Sequence, residues 1–405
     1  MIKHNLIDLV DNGKNILLLQ GPIGSFFYDL ATYLHNKQKN VFKINLNAGD
    51  EYFFPENDSF HTTAYRDTIE NFQNFLSQYI SYHQIDSLVC FGDNRSYHIM
   101  AKILAEQFKL NFWVFEEGYF RPHYVTLEKM GVNAYSLIPK NAQFFLEKIS
   151  NLTAPPEVES SAKGFSTLAK IAICYYVNTW YYRKKYPDYQ HHRSLSIRFY
   201  ARSWLWSGIK RAWYYIKDFR FKHFVENGKF GDFYIVPLQV YNDSQVKVHS
   251  DYFGVKEFLL DVLDSFLLFA PKHLTLIIKH HPMDRGFTDY THIINTYIHR
   301  YPQLKRRLFY VHDVPMPVFL RHGKGMITLN STCGVSALLH NMPVLTLGRA
   351  NYDFAGLTYQ GDLKSFWHNL QPPNPKVFEA FRLYHLNKTQ INGSFYNQVY
   401  LSEFG

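Results

Sequence analysis

A chain of 405 residues, 46% of them hydrophobic, is too apolar to be disordered and too long for one ordinary core, so two domains of roughly 150 to 200 residues are expected. The formal net charge of +9 favours anionic partners. The three cysteines, Cys90, Cys174 and Cys333, lie far apart without ligand-like spacing, which argues against a disulfide framework or a zinc site and fits a reducing compartment.

The N-terminal stretch mixes Lys3 and Lys14 with Asp8 and Asp11 around a short apolar run, Ile16 to Leu19, and so lacks the apolar core of a signal peptide. No stretch approaches the roughly eighteen uninterrupted apolar residues of a membrane span, so a cytoplasmic protein is expected. A buried strand is predicted at Asn15 to Leu19, ending in a glycine turn, then a helix from Ser25 to Lys37 and a strand from Val41 to Leu46. This is a βαβ opening of the doubly wound kind. Its turn matches neither G-x-G-x-x-G nor a P-loop, so dinucleotide binding and ATP hydrolysis are unsupported. Further strands are predicted at Ser87 to Phe91 and Asn111 to Phe115. Each ends in a polar cluster, Gly92 to Arg95 and Glu116 to Pro122, which puts both on the ligand-binding rim of such a sheet.

Residues 152–164 are polar and bear prolines, as a linker does. From Tyr181 to His223 there are eleven Lys and Arg against two acids, an excess equal to the net charge of the whole chain. Trp204, Trp206, Trp213, Tyr214, Tyr215, Phe219 and Phe221 interleave with the bases. Helices at an anionic bilayer surface have this mixture. A solvated helical hairpin or a nucleic-acid-binding patch has it too.

A second unit opens at Asp232 to Val236, and within it two elements grip anions. Lys279, His280, His281 and Pro282 follow the apolar run Leu274 to Ile278. Ser331, Thr332 and Gly334 follow a second buried strand and open a helix, where free N–H groups and the positive end of the helix dipole favour an anion. Alternatively, Ser331 and Thr332 cap the helix and His281 is a satisfied turn residue. The tail is helical in pattern to Leu386. The predicted domains are 1–150, a basic aromatic helical insert at 151–230, 231–370, and a tail at 371–405 that packs back on the first domain. The fold class is α/β and GT-B-like, with two Rossmann-like domains facing a central cleft, the first holding an acceptor and the second a nucleotide-sugar donor.

Eight segments carry a resemblance: Gln20–Gly24 (QGPIG), Lys43–Asp50 (KINLNAGD), Phe91–Arg95 (FGDNR), Phe115–Pro122 (FEEGYFRP), Pro237–Gln239 (PLQ), His280–Pro282 (HHP), Ser331–Ser336 (STCGVS) and Thr389–Phe395 (TQINGSF). In order along nearly the whole chain, apart from the basic insert, they resemble the KpsS-type capsule polysaccharide β-Kdo transferases. The resemblance implies a cytoplasmic enzyme at the inner leaflet of a Gram-negative inner membrane. It would transfer β-Kdo, with retention, from CMP-β-Kdo to lyso-phosphatidylglycerol. That reaction starts the linker of a capsular polysaccharide, which a KpsC-type transferase extends beside the capsule export machinery. No cofactor, no metal and no nucleic acid are expected.

By position in the motif the resemblance makes Glu117 the nucleophile, although sibling modules carry Asp there, and Asp93 competes with it as base or nucleophile. The residues themselves suit the donor. His281, Ser331, Thr332 and the helix N-terminus behind Gly334 fit a departing phosphate. Lys279 and Arg349 are candidates for the sugar carboxylate or phosphate, with a surface pair as the other reading. Pro282 and Gln239 complete the donor set. Arg121 either binds the acceptor phosphate or lowers the pKa of the neighbouring acid. Gln20, Gly21, Asn47 and Asp50 lie where a lipid head group would enter. The alternatives are a different nonulosonate donor, a Kdo-primed acceptor, or a non-catalytic capsule-assembly scaffold.

Overall fold

The computed structural model describes residues 2–149, 152, 165–190 and 197–404. It divides into two compact units, one of Met1–Ile138, Lys148–Ile197 and Arg382–Gly405, the other of Pro139–Glu147 and Arg198–Phe381. Most of the linker expected at 152–164, and Arg193 of the basic segment, lie outside the described residues.

In chain order the elements are α1 (Asn5–Asn12), β1 (Asn15–Leu18), α2 (Phe26–Asn36), β2 (Asn40–Asn45), α3 (Ala48–Phe53), β3 (His61–Ala64), α4 (Ile69–Tyr82), β4 (Ser87–Phe91), α5 (Ser96–Phe108), β5 (Asn111–Glu117), β6 (Tyr124–Lys129), α6 (Ala142–Ile149) and α7 (Phe165–Tyr181). Then come α8 (Ile197–Glu226), β7 (Phe233–Pro237), α9 (Ser244–His249), α10 (Val255–Phe269), β8 (Thr275–Lys279), α11 (Thr291–Arg300), β9 (Leu308–Val311), α12 (Met316–His322) and β10 (Gly325–Thr328). The chain ends with α13 (Cys333–Leu339), β11 (Val344–Thr346), α14 (Leu363–Phe366), α15 (Pro375–Lys388) and β12 (Gln390–Asn392).

In the first unit a seven-stranded sheet runs β12-β6-β5-β4-β1-β2-β3. The β1 strand is apolar from Ile16 to Leu18 because both faces of the sheet are covered: Ile16 and Leu18 join one core cluster and Leu17 the other. Strands β2, β3, β4 and β5 continue it in parallel, β6 pairs antiparallel with β5, and β12 pairs antiparallel with β6. Pairing with β6 also lengthens β5 past its expected end at Phe115. Glu116 lies opposite Thr126 and Glu117 opposite Val125, so both acids are strand residues.

The second unit holds a five-stranded parallel sheet, β11-β10-β7-β8-β9. Helix α10 covers it with Val255, Phe258, Leu259, Val262, Leu263 and Phe266, an apolar stripe at helical spacing. Burial of each larger side chain contributes roughly 1.5–3 kcal/mol.

In both sheets the first strand of the unit is central, and the chain winds away from it in two directions. The order reverses between β1 and β4 in one unit and between β7 and β10 in the other. Ligands of open α/β sheets bind at such switch points, outside the carboxyl ends of the strands.

The expected insert at 151–230 is divided between the units. Helix α7 buries Tyr175 and Thr179 in the first. Helix α8 is fastened to the second. The Asp218 carboxylate accepts the N–H groups of His312 (2.7 Å) and Asp313 (3.0 Å), and the Tyr214 ring stacks on His312 at 3.6 Å. The tail divides as well, with α15 running from the second unit into the first at Arg382.

Candidate functional site

At the β1/β4 switch point of the first unit, Gln20 is buried directly after the strand. Its Oε1 accepts from Arg95 Nη1 at 2.8 Å, and Arg95 also reaches the Gly21 carbonyl at 3.3 Å. The Gln20 amide donates towards the Asp50 carboxylate at 3.2 Å and the Tyr175 hydroxyl at 3.1 Å. Asn47 caps α3 by accepting from Gly49 N and Asp50 N, and its Nδ2 donates to Tyr175. The Asp50 carboxylate also accepts hydrogen bonds from the Tyr175 hydroxyl at 3.0 Å and from the Leu46 N–H.

Gln20, Asn47 and Asp50 are thus brought together as expected for an acceptor pocket, but their polar atoms are spent on one another, on Arg95 and on α7. The cavity beside them, lined by Gly21, Lys43, Asp50, Phe53 and Tyr175, has a volume of about 20 Å³. That holds a water and not a glycerophosphate. Gly21 is explained by packing, since a Cβ there would lie 2.7 Å from the Phe27 ring.

Two strands along, the acids at the end of β5 separate. Successive strand residues face opposite sides of a sheet. Glu117 shares the side of Phe115, where its Oε1 accepts the Tyr396 hydroxyl at 2.9 Å. Burial, then the Glu117 charge, holds that phenol well above its ordinary pKa. Glu116 shares the side of Val114 and accepts the Glu117 N–H at 2.9 Å. Burial is the main reason the Glu116 carboxyl is pushed up to about 7; the Glu117 N–H bond and Arg121 pull it down, and the charges of Glu117 and Asp93 push it up. It therefore exchanges a proton near neutrality.

Asp93 is 3% exposed. Its Oδ2 accepts the Val132 N–H at 3.1 Å, which fastens the turn after β6, and burial raises its pKa. The chain reverses at Gly118 so closely that a Cβ would lie 2.0 Å from the Tyr124 carbonyl oxygen, so the glycine of the Glu-Glu-Gly motif is obligatory. Arg121 is exposed beside this turn, its Nε donating to the Gly118 carbonyl at 3.3 Å.

In the second unit Gln239 follows β7 at the other switch point. Its Nε2 donates to Asn330 Oδ1 and Asp243 Oδ2, both at 3.1 Å, which ties the loop after β7 to the loop after β10. At the end of β8, Lys279 is buried with Nζ 3.4 Å from the His312 carbonyl, and burial lowers its pKa to about 8. His281 caps the following 3-10 turn, with Pro282 in its first position. Its Nδ1 accepts from Met283 N at 3.2 Å, which leaves Nε2 as the protonated, donating nitrogen of the neutral ring.

Ser331 spends its own oxygens on the helix behind it. Oγ accepts the Cys333 N–H at 3.2 Å and the carbonyl accepts Gly334 N at 2.9 Å. Two N–H groups that the sequence offered to an anion are thus already bonded. The Thr332 hydroxyl makes no cap bond. Gly334 is required by packing, since a Cβ there would lie 2.3 Å from Tyr352 Oη. Arg349 is an exposed ion pair with Asp251 at 2.8 Å and also donates to the Val248 and Ser250 carbonyls, so the surface-pair reading describes it.

The model of the family described as capsule polysaccharide biosynthesis protein matches residues 86–396. The chain belongs to this capsule polysaccharide biosynthesis family. It is 52% identical over 405 residues to the capsule polysaccharide modification protein LipB of Neisseria meningitidis serogroup A, covering 99% of this chain and 96% of LipB. It is 40% identical over 397 residues to the capsule polysaccharide export protein KpsS of Escherichia coli, covering 98% and 100%. Among solved structures, Thermosulfurimonas dismutans KpsC, a beta Kdo 2,7 transferase, matches at 14% identity with a TM-score of 0.38, covering 84% of this chain and 89% of that one.

The matched region of this capsule family holds Glu116, Glu117, Asp93 and the whole second-unit set, whereas Gln20, Asn47 and Asp50 precede it. Sequence reasoning passed over Arg95, Glu116, Asn330 and Tyr396. The signals were present: Arg95 and Glu116 lie inside quoted motifs, Tyr396 follows one, and Asn330 precedes one.

Proposed function

We propose that the protein is a retaining glycosyltransferase that moves β-Kdo from CMP-β-Kdo to lyso-phosphatidylglycerol and so starts the linker of a capsular polysaccharide. The observation that carries this is Glu117, a carboxylate at the carboxyl end of β5 oriented by the Tyr396 hydroxyl, in a chain of the capsule biosynthesis family.

Glu117 attacks the anomeric carbon of Kdo as the bond to the CMP phosphate breaks, and the electron pair leaves on the phosphate. The acceptor hydroxyl then attacks the same carbon, loses its proton and displaces Glu117, so two inversions give retention. His281 Nε2–H and the Thr332 and Ser331 hydroxyls suit the leaving phosphate. No metal enters this scheme. Glu116, with its pKa near 7, is the group suited to carry the acceptor proton. The enclosed Gln20–Asn47–Asp50 network fits a structural role for the head of the first unit more closely than direct contact with the lipid. The acceptor phosphate is therefore assigned to exposed Arg121.

The test is mass spectrometry of a fluorescent lyso-phosphatidylglycerol incubated with CMP-Kdo generated in the same tube. Wild type should add one Kdo mass, and Glu117→Gln should fall by about a thousandfold or more. An unchanged Glu117→Gln would remove the nucleophile from the scheme. A folded wild type that labels only Kdo-primed acceptors would move the enzyme to the extension step.

A further inference from the structure

Helix α8 has a mixed polar and apolar face that the fold covers and an apolar stripe that it leaves open. Ser203, Ser207, Tyr214, Asp218 and Val225 are buried and recur at helical spacing, which defines the side fastened to the second unit. On the opposite side Leu205, Ile209, Ala212, Ile216 and Phe219 recur at steps of four, three, four and three residues. Of these, Leu205 is 69% exposed, Ile216 73% and Phe219 68%. An apolar stripe this long and this open is not a normal surface.

Bases border the stripe on both sides. At about 100° per residue, Arg202, Lys217 and Arg220 fall along one edge with Trp206 and Trp213, and Arg211 and Lys222 fall along the other with Tyr215. All of these side chains are exposed. The two acids in the helix are Asp218, which is buried, and Glu226 at its end, which pairs with Lys222 at 3.8 Å. No helix among the described residues is long and apolar enough to cross a membrane.

We infer that the outward face of α8 lies in the interface of a bilayer containing anionic phospholipid, with the apolar stripe at the level of the acyl chains and the two basic edges among the head groups. Charge complementarity selects this occupant. In a symmetric pair of chains the same two basic edges would confront each other. A nucleic acid would neutralise the bases but leave the apolar stripe between them uncovered. The inward contacts give the docking a consequence. The helix that meets the lipid also holds His312 and Asp313, and the His312 carbonyl receives Lys279, so the bilayer is joined by short contacts to the end of β8.

This inference rests on the lipid-acceptor reading only in the choice of phosphatidylglycerol. The experiment is co-sedimentation of the full chain with phosphatidylcholine vesicles, with and without phosphatidylglycerol, over a range of salt. Wild type should bind the anionic vesicles and release as salt rises. The variants Arg202→Glu/Arg220→Glu and Trp213→Ser/Ile216→Ser should each lose roughly tenfold or more in partitioning, with unchanged circular dichroism and melting because every altered side chain is exposed. Equal binding to both vesicle types, or full binding by either variant, would overturn the inference. So would a wild-type dimer that Trp213→Ser/Ile216→Ser converts to monomer with vesicle binding unaltered, which would make a second copy the occupant. Retention on duplex DNA through the same bases, with no vesicle binding, would give the face to nucleic acid. Each protein is also assayed for Kdo transfer to detergent-dispersed lyso-phosphatidylglycerol. Absent transfer with intact vesicle binding counts against the reaction and leaves the docking standing.

Discussion

Gln20 and Gln239 occupy equivalent places in two different units, and the contrast between them explains much of this molecule. Each follows the first, central strand of its sheet, and each bridges the point where the strand order reverses. Gln20 is held between two charged groups, Asp50 and Arg95, and capped by the hydroxyls of Tyr175 and Tyr189. Gln239 is held by Asp243 and Asn330, and its own Oε1 is buried without a hydrogen-bond partner. The same backbone topology thus yields a rim closed by a charged network in one unit and a rim of imidazole, hydroxyl and amide groups in the other. Topology places a ligand site, and the side chains decide whether it is filled by the protein.

The sharpest way to break this comparison is Asp50→Ala. It leaves the Gln20 amide, the Tyr175 hydroxyl and the Leu46 N–H without their shared acceptor in a buried place, and should cost about 3 kcal/mol in chemical denaturation. If the loss is near zero, the network is not closed in solution and the acceptor role of Gln20 and Asn47 returns.

In the second unit Gly334→Ala should cost about 2 kcal/mol, because the new methyl must displace Tyr352, whose hydroxyl donates to the Ser331 carbonyl at 2.6 Å. A neutral Gly334→Ala with weakened CMP binding would instead make this glycine part of the phosphate seat.

A third effect, which depends on pH, belongs to Glu116. Burial raises its folded pKa from 4.5 to about 7, so between those values the folded chain binds more protons than the unfolded chain, and stability falls as pH rises. Glu116→Gln removes that decline. The variant should match wild type near pH 5 and melt higher than wild type near pH 8. In activity the same substitution should abolish any ionisation near pH 7 in the kcat profile. Equal melting at both pH values would show that the carboxyl is not held in its protonated form.

The first unit was legible in its strands and not in its edges. Ile16 to Leu18 and Leu88 to Cys90 are unbroken apolar runs, which the burial of a central parallel strand on both faces demands. Strand β6 reads as a short mixed segment, Tyr124 to Lys129, and exists because β5 and β12 pair with it. The site was legible as motifs because loops after parallel strands converge on one rim wherever such strands occur. Whether those motif residues remain available to a ligand depended on contacts between residues far apart in sequence. Tyr175 lies 125 residues from Asp50 and Tyr396 lies 279 from Glu117.

The eight motif segments carried the resemblance to the family, and the sequence alone also determined the α/β class, the rim on which the polar loops gather and the basic aromatic character of the segment around α8. The last three of these follow from local composition and the order of strands and helices. Tertiary structure decided that Glu116 and Glu117 face opposite sides of a sheet, that Gln20, Asn47 and Asp50 are already occupied, that Arg349 belongs to Asp251, and which face of α8 is left open. Periodicity sorts residues onto faces only once the element is known: the pairing with β6 makes Glu116 and Glu117 strand residues, and contacts with residues distant in the sequence decide which faces and polar atoms are covered.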